Sequence, residues 1–236
     1  TVIFDLDGTL LSINADLFLN NYFKLMAKQA EKYNYDPEAF INAVMAGTKA
    51  MLNNDGSMTN EKRFWAVFTE ALGEKDGRLE SIFDEFYLNI YPKLRSTAQP
   101  NEKIKKCAET LLNKGYELVV ATNPLFPRTA IEQRIRWSGL KPEIFRWITC
   151  YENSSYSKPH LGFYKEILKN LQEEPENCLM IGNDPQEDMC VVKLGMQAFL
   201  LKDQMIAKEK ELSGDCQFMV GYIEDLWQFV NELPEL

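Results

Sequence analysis

The sequence predicts an α/β protein: a parallel sheet with helices on both faces, interrupted near its start by an inserted block of helices. Three observations lead there. Val2-Ile3-Phe4 is a β-branched and aromatic run too short for a helix, and one strand cannot stand alone. From about residue 14 to residue 95 the apolar residues recur at helical spacing, with no convincing strand among them. After Pro100, short buried runs alternate with amphipathic ones, the strand-helix-strand rhythm that builds a parallel sheet.

The inserted block reads as four helices. Leu17, Phe18, Tyr22, Leu25 and Met26 mark the first, within Asp16 to Tyr35. Asp36-Pro37-Glu38 caps and starts a second, which runs to about Met51. After the loop residues Asn53 to Ser57, Asn60 caps a third that holds Phe64, Trp65, Val67, Phe68 and Leu72 and ends at Gly73. A fourth extends from about Asp76 to Tyr91, where Pro92 stops it. Beyond Pro100 the expected order is a helix to Asn113, a strand Glu117 to Thr122, a helix Arg128 to Ser138 and a strand Trp147 to Tyr151. A helix from His160 to Leu171, a strand Asn177 to Gly182, a helix Gln186 to Leu194, a strand Gln197 to Leu201 and a closing helix Tyr222 to Asn231 complete it. Residues 1–13 and 96–236 would then form the core and residues 14–95 the insertion.

Composition narrows the function classes. A formal charge of −9 over 236 residues opposes attraction to nucleic acid or to anionic membranes. No apolar run is long enough to span a bilayer and no secretory pattern opens the chain, so the expectation is cytoplasmic; a targeting segment ahead of Thr1 stays open. The five cysteines, Cys107, Cys150, Cys178, Cys190 and Cys216, are widely spaced with no Cys-x-x-Cys pair, and read as packed thiols. The one histidine, His160, reads as a helix-start or surface residue, which removes zinc hydrolysis.

In open parallel sheets ligands bind beyond the carboxyl ends of the strands. The first strand delivers Asp5 and Asp7 there, and the pleat puts both on one face. Two carboxylates so close raise each other's pKa unless a cation neutralises them, and no neighbour in sequence is basic, so the pair calls for a metal ion. The second strand ends in Thr122-Asn123, the fourth in Gly182-Asn183-Asp184 with Asp188 following, and Lys158 precedes the helix after the third. Each has an ordinary use as well: Asp-Gly-Thr is a common turn, Asp184-Pro185-Gln186-Glu187 a good helix start, Asp188 a partner for a helix dipole, Thr122 a cap and Lys158 a solvated lysine. Structure alone gives no reason for all of them to meet on one rim.

Together these residues resemble the motifs of the haloacid dehalogenase superfamily of phosphohydrolases. Asp5 to Thr9 matches its Asp-x-Asp-Gly-Thr motif and Leu118 to Thr122 its strand ending in a hydroxyl residue; Lys158 matches its lysine before a helix, and Gly182 to Asp188 its acidic fourth motif. The resemblance implies a Rossmann-like five-stranded sheet with the first strand central, and makes the insertion an α-helical cap of the branch that includes phosphoglycolate phosphatases and β-phosphoglucomutase. It implies that Asp5 attacks phosphorus, Asp7 is the acid–base, and Lys158, Thr122 and the Asn123 N–H hold the phosphate. Mg²⁺ would sit on Asp5, the Asp7 carbonyl and Asp184, with Asp188 supporting that shell. The substrate would be a small phosphorylated metabolite. A phosphomutase keeps the same residues and is the alternative; dehalogenation would leave Asp7 no alkoxide to protonate, and the intact acid set argues against a non-catalytic binding or regulatory module. Lys49, Asn53, Asn54, Asp55, Lys62, Arg63 and Arg128 are the candidates for specificity, and Thr9 to Asn14 with Arg95 to Gln99 for the hinge.

Overall fold

In the computed structural model, which describes residues 1–74, 77–206 and 217–236, strand β1 (Val2–Phe4) lies at the centre of a parallel sheet. It pairs with β4 (Leu118–Val120) on one side and β6 (Leu179–Gly182) on the other. Strand β5 (Phe145–Ile148) flanks β4, and β7 (Gln197–Leu201) then β8 (Met219–Gly221) follow β6. The sheet has six strands rather than five. The sixth is a three-residue edge strand, too short to carry a period-two signal, and it pairs with β7 through Phe199↔Met219.

The pleat sorts the core into two layers. Val2, Phe4, Leu118, Val120, Ile181 and Phe199 face one side, where they meet Ile104 and Leu111 of α5 (Glu102–Asn113), Ile131 and Ile135 of α6 (Arg128–Trp137) and Leu226 of α8 (Ile223–Glu232). Ile3, Val119, Met180 and Leu200 face the other, against Phe163, Tyr164 and Ile167 of α7 (Leu161–Leu171). Both faces of β1 are thus covered, as its uninterrupted apolar run requires.

Helices α1 (Ala15–Lys32), α2 (Pro37–Leu52), α3 (Asn60–Leu72) and α4 (Arg78–Glu85) form the cap, inserted between β2 (Leu11–Ile13) and β3 (Ala98–Pro100). These two strands pair antiparallel, so both connections to the cap run side by side. Asp36 caps α2 and Gly73 closes α3 in the left-handed region, as the sequence predicts. Thr59, not Asn60, caps α3. The expected start of the fourth helix at Asp76 lies outside the described residues. Its far end continues through a π turn (Phe86–Ile90) into a 3₁₀ helix (Tyr91–Thr97), with Pro92 in the first turn of the latter, where a missing N–H is harmless. No helix among the described residues is long and apolar enough to cross a membrane.

Candidate active site

Asp5 follows β1 directly, with its N–H donated to the Ile181 carbonyl at 2.9 Å. Leu11 then bonds back to the Leu6 carbonyl and Gly8 to the Leu11 carbonyl, a tight loop that Gly8 permits at φ +88°. A Cβ at Gly8 would stand 2.3 Å from Asn183 Nδ2, so this loop is pressed against the end of β6; Thr9 Oγ1 seals the contact by donating to Asn183 Oδ1 at 3.1 Å.

Lys158 joins the two ends. Its ammonium, with the side chain 1% exposed, donates to Asp5 Oδ1 at 2.8 Å and to Asp188 Oδ1 at 2.6 Å. Burial by itself would lower the Lys158 pKa, but the Asp188 and Asp5 charges outweigh it and hold the ammonium well above its ordinary value. Asp188 Oδ2 accepts the Asp184 N–H at 3.0 Å. Gly182 makes room for this carboxylate, since a Cβ there would lie 2.2 Å from Asp188 Oδ2. The segment expected to be helical from Gln186 is instead a turn, closed by one helix-type bond from the Asp188 N–H to the Asp184 carbonyl, followed by a 3₁₀ helix (Met189–Leu194), with the Asp188 side chain held inward by Lys158.

Asp184 does what a capping acid does, accepting the Gln186 and Glu187 N–H groups on Oδ1 at 2.7 and 2.9 Å. Its second oxygen carries no hydrogen bond among the described residues, nor does Asp5 Oδ2. Thr122 is buried at the end of β4, held there by Thr149 Oγ1 donating to its carbonyl at 2.7 Å, while Ala121 N–H bonds the Phe4 carbonyl and keeps Thr122 level with Asp5. Asn123 reaches both Glu187 carboxylate oxygens at 3.4 Å.

Asp7 takes a different partner. Arg134, buried to 2% on α6, donates from Nη1 to Asp7 Oδ2. Its guanidinium lies over Phe126 at 4.7 Å and near Phe18 at 5.8 Å. Burial raises the Asp7 pKa and Asp5 raises it further; Arg134 opposes them without cancelling them.

Residues 1–189 match the family model of the haloacid dehalogenase-like hydrolases. The chain belongs to that family. Among curated proteins this hydrolase is 21% identical to a pyrophosphatase named PpaX from Anoxybacillus flavithermus, over 96% of this chain and 94% of that one. Its fold superposes on a HAD phosphatase from Thermococcus onnurineus with a TM-score of 0.61 at 15% identity, covering 100% and 99% of the two chains. A 2-haloacid dehalogenase from Pseudomonas syringae gives a TM-score of 0.63 at 20% identity over 98% and 96%. These two structures show the haloacid dehalogenase fold; the chemistry of this hydrolase has to be read from its own residues.

Among the described residues no three His, Cys, Asp or Glu side chains are grouped to hold a metal ion. The donor set implied for Mg²⁺ does not need three: it is two carboxylates and one backbone carbonyl, all oxygen; Asp184 keeps an unbonded oxygen for it, and Asp5 Oδ1, with a single bond from Lys158, keeps a lone pair for it. The residues fit a hard cation. Asp188 has both oxygens engaged by Lys158 and Asp184, which places it behind that donor set rather than in it.

Several sequence candidates are occupied elsewhere. Arg63 bonds Asn54, Asp55 and Ser57 and so builds the loop between α2 and α3; Asn53 bonds the Lys49 carbonyl, and Lys49 and Lys62 are exposed. Arg128 pairs with Glu132. His160 starts α7, accepting the Gly162 N–H at 3.0 Å and stacking on Tyr156. Cys107, Cys150 and Cys178 are buried free thiols and Cys190 is half-buried; Cys216 lies outside the described residues. Two residues the sequence reading passed over belong here. One is Glu187, whose carboxyl burial pushes up to about 7 although Lys158 opposes it. The other is Arg134. Its signal was present: it falls on the buried stripe of α6 with Ala130, Ile131 and Ile135, where a charge needs a partner.

Proposed function

We propose that this hydrolase is a Mg²⁺-dependent phosphatase that passes the phosphoryl group of a small phosphomonoester to Asp5 and then to water. The observation that supports it most is the buried ammonium of Lys158 between Asp5 and Asp188, which fixes one Asp5 oxygen and leaves the other unbonded. The unbonded oxygen attacks phosphorus, a P–O bond to Asp5 forms, and the ester P–O bond breaks. Asp7 gives its proton to the departing oxygen, then takes one from the water that cleaves the aspartyl-phosphate, releasing phosphate and restoring Asp5. A pKa raised by burial suits a carboxyl that must both give and take a proton. Lys158, the Thr122 hydroxyl and the Asn123 N–H offset charge on the phosphoryl oxygens. Asp5, the Asp7 carbonyl and Asp184 would hold Mg²⁺, which when bound neutralises phosphate charge. On this reading residues 14–95 cover the site as a cap on residues 1–13 and 96–236.

Turnover of an aryl phosphate with Mg²⁺ tests the proposal. Hydrolysis is expected, with Asp5→Asn abolishing it; undiminished hydrolysis by Asp5→Asn contradicts it.

A further inference from the structure

Asn60, the first residue of α3, is fully buried, although asparagine is a residue ordinarily left to water. Its carboxamide nitrogen donates to the Pro124 carbonyl at 3.1 Å and to Ser157 Oγ at 3.3 Å, with the Tyr156 carbonyl at 3.5 Å. Its carboxamide oxygen accepts from Asn54 Nδ2 at 2.8 Å, and Arg63 Nε holds Asn54 Oδ1 in turn at 3.3 Å. A carbonyl can only accept, so the Asn60 nitrogen has to face the core and its oxygen the cap. Arg63, Asn54 and Asn60 thus form one chain of hydrogen bonds that starts in the cap and ends on two loops of the core.

Those two loops carry the groups assigned to the phosphate. Pro124 follows Asn123, and Ser157 precedes Lys158. The cap holds the second loop at further points. Ser157 Oγ donates to the Met51 carbonyl at 3.1 Å, and the Asn60 N–H donates to the Ser154 carbonyl at 2.8 Å. Gly56 lies so close to Tyr156 that a Cβ there would stand 2.2 Å from its Cζ. A cap that only covered the site would need contacts at the rim. It would have no need to bond, with one side chain, the chain directly behind both phosphate-binding groups. A shift of about 1 Å in such a group costs on the order of a hundredfold, so a residue that fixes the spacing of the two loops acts on the chemistry without touching it.

We propose that Asn60 is a positioning residue for the phosphoryl group: by bonding Pro124 and Ser157 together it sets the distance between the Asn123 N–H and the Lys158 ammonium, and the cap thereby completes the phosphate site from behind. This rests on the roles given above to Asn123 and Lys158. Both meet the phosphoryl group, which every substrate shares, so the effect is blind to the leaving group.

Asn60→Ala is compared with wild type, with Mg²⁺, on 4-nitrophenyl phosphate and ethyl phosphate, and inorganic phosphate is titrated as an inhibitor. The kcat/KM should fall about ten- to a hundredfold, by the same factor on both esters, and the Ki of inorganic phosphate should rise about tenfold. Asn54→Ala, which frees the Asn60 carboxamide from the cap side, should move both in the same direction by less. A loss confined to one ester, or an unchanged phosphate Ki, would overturn the proposal and leave Asn60 only to dock the cap. Should Asn60→Ala not fold, amide exchange in the wild type decides. Linkage requires that inorganic phosphate with Mg²⁺ slow exchange at residue 60 and Glu61, whose N–H groups bond the core, and exchange there that phosphate leaves unchanged would overturn the proposal. If the wild type turns over neither ester, the phosphatase reading falls, and the same exchange measurement still decides the role of Asn60.

Discussion

Lys158 holds two carboxylates that would otherwise repel each other, and both are taken out of water with it. Removing the ammonium leaves two uncompensated buried charges, so Lys158→Met is expected to lose about 3–5 kcal/mol of stability, measured by denaturant unfolding, besides its activity. Gly182→Ala probes the same cluster from behind: its Cβ would displace Asp188 and with it Lys158, so turnover should drop sharply although no charge has changed. Wild-type kinetics in Gly182→Ala would show that Asp188 does not set the lysine. At this scale the meeting of Asp5, Lys158 and Asp188 was legible, because the acids follow β1 and β6 and the lysine precedes α7 at the same edge of the sheet. Arg134 was not, because an arginine in a ten-residue helix reads as a solvated one until its stripe is seen to be buried.

Helix α3 is where the cap meets the core. The Asn60 and Glu61 N–H groups, free at a helix start, donate to the Ser154 and Tyr151 carbonyls at 2.8 Å. The Asn60 side chain, fully buried, donates to the Pro124 carbonyl at 3.1 Å and accepts from Asn54. Asn60→Ala should therefore cost about 1–3 kcal/mol and loosen the docked cap, seen as faster amide exchange in the first turn of α3, at residue 60 and Glu61. Beside it, the Glu61 carboxyl is held above its ordinary range first by burial and then by the charges of Glu152 on the core and Glu80 on the cap; Lys62 opposes them. The docked state then binds the Glu61 proton more tightly than the unfolded chain does, so docking is favoured at pH below the ordinary glutamate range and weakened as pH rises through the raised pKa. Glu61→Gln should unfold at a higher temperature than wild type at pH 7, and the difference should vanish near pH 4; a constant difference would take Glu61 out of this contact. Most elements were legible from apolar period and caps. The exceptions are local: a turn with Asp188 held inward where a helix was expected, and Pro92 seated in a first turn rather than after a last one.

Across the whole molecule the sheet brings residues 5, 122, 158 and 184 to one rim from four separate stretches, and α1 to α4 are inserted between β2 and β3. Only the sixth strand escaped the sequence, for want of length. With an all-oxygen donor set, activity should disappear with chelator and return with Mg²⁺, while Ca²⁺ with its larger, looser shell should restore little; full activity in metal-free buffer would exclude the assigned ligands. The central claim is the division of labour between Asp5 and Asp7, and Asp7→Asn isolates it. This variant can still attack an aryl phosphate, whose leaving group needs no proton, but lacks the base that activates water, a loss of about a hundred- to ten-thousandfold. Rapid quench of Asp7→Asn with the aryl ester should give a burst of product and a phosphoryl group on the peptide that carries Asp5. No burst and no phosphorylated peptide, with equal losses on activated and unactivated esters, would contradict it.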